Sequence, residues 1–147
     1  MNIISNNRKS SYLYNFIDKY EAGIQLKGFE VKAIREGNVN IAESYVNIKN
    51  NEIFIVGMHI GEYSHSGYAT HEPTRERKLL MHKVEISKIK SKFETKGITI
   101  VPLKLYFKKG RAKLEIALAK GKKKWDKRET IKKRDIDREI KRSMKGN

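Results

Sequence analysis

Two short stretches of this sequence hold side chains suited to chemistry with a polyanion. In PTRERK, Arg75, Arg77 and Lys78 lie close together beside a proline that stiffens the backbone, and guanidinium forks match the geometry of phosphate. In AKGKKKWDKRE the single tryptophan, Trp125, stands between three lysines and an Asp-Lys-Arg triplet. A charge run of this kind builds no core around an indole. Trp125 either folds back onto the body of the protein or stacks on a nucleobase while its lysines meet phosphates, a contact worth about 1–3 kcal/mol per base. Catalysis leaves no comparable trace. The four histidines, at 59, 65, 71 and 82, show neither HExxH nor another close zinc spacing. AKGKKK lacks the upstream glycine and the following Ser/Thr of a phosphate-binding loop, and the carboxylates are scattered among Lys and Arg. The expectation is a protein that is no enzyme, with no cofactor, no metal and no small-molecule substrate.

Composition points the same way. The chain has 147 residues and a formal charge of +16, with a pI near 10.0, which argues for nucleic acid or an anionic surface as partner. No apolar run approaches the roughly 18–20 residues that span a bilayer, and MNIISNNRKSS lacks the long apolar stretch of a signal peptide, so no membrane partner is expected. The absence of cysteine sits most easily with a reducing cytoplasm. Charge is uneven along the chain. From Lys120 to Asn147 there are 13 Lys/Arg against 5 Asp/Glu, which divides the chain into a mixed body, 1–119, and a basic tail, 120–147.

The body reads as mainly β. The first eleven residues read as a loose polar arm. Even spacing of Tyr12, Tyr14, Phe16, Tyr20, Ile24 and Leu26 predicts a strand, with Gly23 allowing a bulge or bend. GFEVKAIREG reads as a short helix capped by Gly37. Tyr45–Ile48 and Ile53–Met58 form a hairpin candidate around Asn50-Asn51. GEYSHSGYATHEPTRERK is an aperiodic loop, followed by a short strand at Leu79–Met81. A helix then carries Ile86, Ile89 and Phe93 on one stripe and stops at Gly97. Ile98–Phe107 and Ala112–Ala119 flank a Lys-Lys-Gly-Arg turn, with Pro102 suited to an edge or bulge. Strand edges must be managed, and the expectation is an OB-like closed antiparallel barrel of about six strands; a sandwich fits the periodicity almost as well. In the tail, Ile136, Ile140 and Met144 recur every four residues with acid–base pairs such as Glu129–Lys133. That pattern predicts a segment disordered when free and helical when bound.

The motifs NRKS, YEAGIQLKGFEVKAIREGNVNI, HEPTRERKLLMH, ITIVPLKLYFKKGRAKLEIALAKGKK and DKR together resemble the SsrA-binding protein family, the partners of transfer-messenger RNA in bacterial ribosome rescue. The resemblance covers most of the chain, from Asn7 to Arg128. It implies an OB-like barrel without catalytic activity that grips the tRNA-like domain of transfer-messenger RNA. The positions matching its RNA contacts are Asn7, Glu21 and Leu80, and Arg8 joins them beside Asn7. It further implies a tail that lies in the decoding site and the empty messenger channel of a stalled ribosome. There the position of Trp125 stacks on small-subunit RNA, and Gly121, Lys122, Lys123, Asp126, Lys127 and Arg128 match the surrounding motif. Met144 is retained, whereas Ser143 stands where the family is often aliphatic. Two other readings stay open: a generic OB-fold single-strand RNA binder or ribosomal protein, and an RNA-processing enzyme.

Overall fold

The computed structural model describes residues 2–62 and 72–122. In chain order these form β1 (Asn2–Asn6), α1 (Lys9–Leu13), β2 (Tyr14–Ile24), α2 (Gly28–Arg35), β3 (Val39–Asn40) and β4 (Tyr45–Lys49). There follow β5 (Glu52–Val56), β6 (His59–Ile60), β7 (Arg77–Leu80), α3 (Lys83–Phe93), β8 (Ile98–Lys108) and β9 (Arg111–Gly121). Seven strands make one antiparallel sheet in the order β1-β8-β9-β2-β7-β5-β4, and β3 pairs with β6 as a separate two-residue ribbon.

Tight turns set two of its hairpins. Asn50 and Asn51 both have positive φ, 50° and 63°, and Lys109 and Gly110 repeat the arrangement at 52° and 76°. Two successive residues of positive φ give a turn whose twist matches the strands it joins. In β9, Leu114, Ile116 and Leu118 are buried in the main core, which also holds Ile89 of α3 and Ile34 of α2, while Ala117 and Ala119 are buried in a second cluster. Gly37, at φ 80°, follows the C-cap Glu36 and ends α2 as expected of a residue without a Cβ. The helix α3, by contrast, stops earlier than expected, at Phe93, and Gly97, at φ 86°, lies in the turn that leads into β8.

The expected closed barrel is not formed. β4 and β1 end the ladder, and no strand pairing joins the two ends among the described residues. β4 does come against β8, so the sheet curls over its core. The edge of β8 that a closing strand would use is occupied from Pro102 to Phe107 by Asn7 and β1. The same pairing corrects the loose N-terminal arm: residues 2–6 are a strand and residues 9–13 a helical turn. Its polar composition hid this, because only Ile4 among those residues packs against the core. The bulge of β2 falls between Phe16 and Asp18, not at Gly23. β9 also runs to Gly121, two residues beyond its expected end.

Candidate nucleic-acid interface

Residues opposite one another across an antiparallel ladder share a face. The registers Lys19↔Ala117, Glu21↔Glu115 and Gly23↔Lys113 join β2 to β9, and Lys104↔Glu115, Tyr106↔Lys113 and Lys108↔Arg111 join β8 to β9. All of these side chains therefore stand on the sheet surface opposite Leu114 and Ile116. One end of this outer face is apolar, where Tyr14 and Phe16 pack on Val101, Leu103, Ala117 and Ala119. The bulge after Phe16 makes the face continuous: it turns the earlier alternation outward so that Phe16 and Lys19 adjoin, the ammonium 5.6 Å from the ring centroid. At the other end β2 leaves β9 and pairs with β7, Gly23 standing opposite both Lys113 and Leu80. A Cβ at Gly23 would lie 3.3 Å from Leu80 Cβ, so glycine permits the close approach. Leu80 itself is 52% exposed.

Between these ends the face holds a fixed carboxylate. The Tyr106 hydroxyl donates to Glu21 Oε2 at 2.5 Å, and Lys108 Nζ lies 3.5 Å from the same oxygen. The hydrogen bond from Tyr106, with Lys108 and Lys113 nearby, holds the Glu21 carboxyl below its ordinary value against the opposing effect of desolvation. Burial, and then the carboxylate beside it, push the Tyr106 phenol well up. The result is an ionised acceptor beside lysines, suited to accept from a base edge or ribose hydroxyl while the cations meet phosphate.

Asn7 is buried. Its Nδ2 donates to Pro102 O at 2.9 Å, its N–H donates to Leu103 O at 2.8 Å, and its carbonyl accepts from Ser10 Oγ at 2.6 Å. These bonds seat the chain on the bulge of β8. Arg8, the next residue, is exposed and borders a hollow of about 450 Å³ with Phe16, Lys19, Lys104 and Glu115. Asn7, Arg8, Glu21 and Leu80, far apart in sequence, thus belong to one face.

The PTRERK stretch divides. Arg77 is 0% exposed. Its Nε donates to Glu30 Oε2 at 2.6 Å, and its terminal nitrogens donate to the carbonyls of Met58, Arg75 and Pro73. The expectation that Arg77 meets phosphate is therefore corrected, because its donors are spent inside the fold. Strand parity explains it: Arg77 and Leu79 point inward while Lys78 and Leu80 point outward. Glu30 Oε1 also accepts from Arg75 at 2.6 Å and from the Lys27 N–H at 2.8 Å, leaving Arg75 half-committed. Lys78 stays partly exposed, 3.6 Å from Glu52.

At the far end of β9, Gly121 pairs with Tyr14. Lys122 N–H donates to Leu13 O at 2.9 Å and its Nζ to Ser11 O at 2.8 Å. The root of the tail is thereby fixed beside α1. Lys123, Trp125, Asp126, Lys127, Arg128 and Met144 lie outside the described residues, as does the expectation that the tail is disordered when free. Among the described residues no three His, Asp or Glu side chains are grouped to hold a metal, and no helix is long and apolar enough to cross a membrane.

A family model described as SmpB protein matches residues 4–146. The chain belongs to the SmpB family. Its relatives include SsrA-binding proteins of Oleidesulfovibrio alaskensis and Persephonella marina, each 51% identical, covering 97% and 98% of this chain and 92% and 95% of theirs. That of Carboxydothermus hydrogenoformans is 52% identical over 97% of this chain and 96% of its own. A solved SmpB chain, described as "tmRNA-SmpB: a journey to the center of the bacterial ribosome", is similar at a TM-score of 0.68. It is 42% identical, and the likeness covers 81% of this chain and 84% of that one. SmpB membership accords with a mainly β body carrying few short helices. Several members of the outer face were not singled out from sequence: Lys19, Lys104, Tyr106, Lys108 and Lys113. Their signal was present in β9, where Lys113 and Glu115 alternate with the inward Leu114 and Ile116, but it says nothing of which strands lie alongside.

Proposed function

We propose that this protein binds the tRNA-like domain of transfer-messenger RNA and delivers it to stalled ribosomes for rescue and tagging. It acts by binding and positioning, without a catalytic step, in the cytoplasm. The observation that carries the reading is the single outer face uniting Asn7, Arg8, Glu21 and Leu80 with a field of lysines, in a chain of the SmpB family. The character of that face also argues against a generic single-strand binder. Such binders stack bases on open aromatic rings, whereas Tyr106 is 3% exposed and a lysine ammonium stands over Phe16. A closely packed, charged face with a protruding Leu80 fits the contour of a folded RNA better.

In this reading the tail, 120–147, takes the decoding site and the empty messenger channel, with Trp125 stacking on a small-subunit base. A flexible polycation is drawn into an RNA channel by its charge and orders there, and messenger already filling the channel excludes it. The test uses the full chain and one lacking residues 123–147. Both should bind the tRNA-like RNA with similar affinity and exceed competitor RNA at matched salt by orders of magnitude, while only the full chain rescues stalled ribosomes. Equal affinity for any RNA would support the generic binder instead. Trp125→Ala should weaken engagement at the decoding site by about 1–3 kcal/mol and leave the melting temperature of the body unchanged; a large drop in that temperature would place the indole on the body.

A further inference from the structure

We infer that Tyr106 is a positioning residue for RNA recognition: it clamps one oxygen of Glu21 so that the other presents a single fixed acceptor to a hydrogen-bond donor of the bound RNA. This rests on the RNA-binding reading above and deepens it. The Tyr106 ring is packed down at 3% exposure while its hydroxyl reaches Glu21 Oε2 at 2.5 Å. Glu21 Oε2 is further approached by Lys108 at 3.5 Å. Among the described residues Glu21 Oε1 has no hydrogen-bond partner, and the Glu21 side chain borders the depression shared with Gly23, Leu80, Met81, His82, Glu85 and Lys113.

An unclamped glutamate on a strand surface samples several rotamers, and ordering it on binding has an entropic cost. The clamp meets that cost during folding. It also selects chemistry: an ionised carboxylate is acceptor-only, so the exposed oxygen favours a nucleotide offering a donor and repels phosphate. Phosphate is left to the neighbouring cations. The donor is either a ribose 2′-hydroxyl or the exocyclic amino group of a guanine, which share the required N–H or O–H.

The groups that set the charge at this point are Lys108 and Tyr106 from β8, Lys113, Arg111 and Glu115 from β9, Lys19 from β2, and His82 and Glu85 at the start of α3. Removing the Tyr106 hydroxyl leaves the other groups in place and returns the Glu21 carboxyl toward its ordinary value.

The experiment measures binding of the full chain to the tRNA-like domain of transfer-messenger RNA for wild type, Tyr106→Phe and Glu21→Gln, with a ¹³C titration of Glu21 in the free proteins. Tyr106→Phe should lower affinity about tenfold at neutral pH, keep its far-UV spectrum, and move the Glu21 titration upward. Loss of binding on acidification should then begin at higher pH than in wild type. Glu21→Gln, at an exposed position that leaves the core untouched, should lower affinity at least as much and abolish that acid limb. RNAs with single 2′-deoxy substitutions, and others with inosine in place of guanosine, separate the two donors: the substitution that removes the donor should cost wild type about tenfold and Glu21→Gln almost nothing. Wild-type affinity in both variants would overturn the inference while leaving the RNA-binding reading intact. So would an unmoved Glu21 titration in Tyr106→Phe. A wild-type protein that fails to prefer the tRNA-like RNA would instead overturn the reading beneath it.

Discussion

At the scale of single residues, burial separates side chains that the sequence presents as equals. Arg75, Arg77 and Lys78 occupy one basic stretch, yet Arg77 and Glu30 form a buried ion pair, 0% and 1% exposed. Such a pair contributes little against an apolar replacement of both members, but removing one member strands the other charge. Arg77→Met should therefore destabilise the body by about 3–5 kcal/mol in urea unfolding, far more than an exposed phosphate-binding arginine would. The pair also carries a pH signature. Desolvation pushes the Glu30 carboxyl up, but hydrogen bonds from Arg75, the Lys27 N–H and Arg77 together outweigh it and hold the carboxyl below 4.5. A carboxyl lowered on folding stabilises fully above its unfolded value, and that contribution disappears as pH falls through the folded one. The stability gap between wild type and Glu30→Gln should accordingly be widest at neutral pH and narrow below 4.5, as followed by unfolding curves across pH 3–7.

The elements show where function was placed ahead of stability. At the β8–β9 turn Lys109 has φ 52°, a conformation in which a residue with a Cβ other than Asn or Asp is strained by roughly 1–2 kcal/mol. Asparagine takes the equivalent place in the β4–β5 turn, at Asn50. The lysine lies at the basic end of the outer face, in a hollow with Glu21, Lys108, Arg111 and Lys113. Lys109→Asn should raise the melting temperature while lowering RNA affinity and reducing the salt slope of binding by about one ion. A more stable variant with unaltered salt dependence would remove Lys109 from the interface. The short α1 shows the complementary case. Its carbonyls at Ser11 and Leu13 receive the Lys122 side chain and N–H. Lys122 therefore belongs to the body's edge, and its amide should exchange with solvent more slowly than those of neighbouring exposed residues.

For the whole molecule, the order β1-β8-β9-β2-β7-β5-β4 turns separate stretches of sequence into one surface. Strand alternation, the helix of residues 28–35 and both positive-φ turns were legible because each depends on neighbours a few positions apart. Period-2 patterning and paired asparagines act locally. Ladder closure was not legible. It depended on Asn7 and β1 filling an edge of β8 roughly a hundred residues away, and a polar pentapeptide carries no mark of that partner. The same holds for the site: motif resemblance named Asn7, Glu21 and Leu80, but their shared face, and the tyrosine behind Glu21, follow from register.

The sequence by itself determined the large positive charge, the basic tail and the family motifs, since these are properties of side-chain identity that no folding alters. Tertiary structure alone decided that Arg77 is spent inside while Lys78 looks out, that Asn7 seats a strand, and that Glu21 is gripped by Tyr106. Each of these outcomes depends on which atoms meet across the sheet, and a one-residue bulge, such as that after Phe16, is enough to exchange inside for outside.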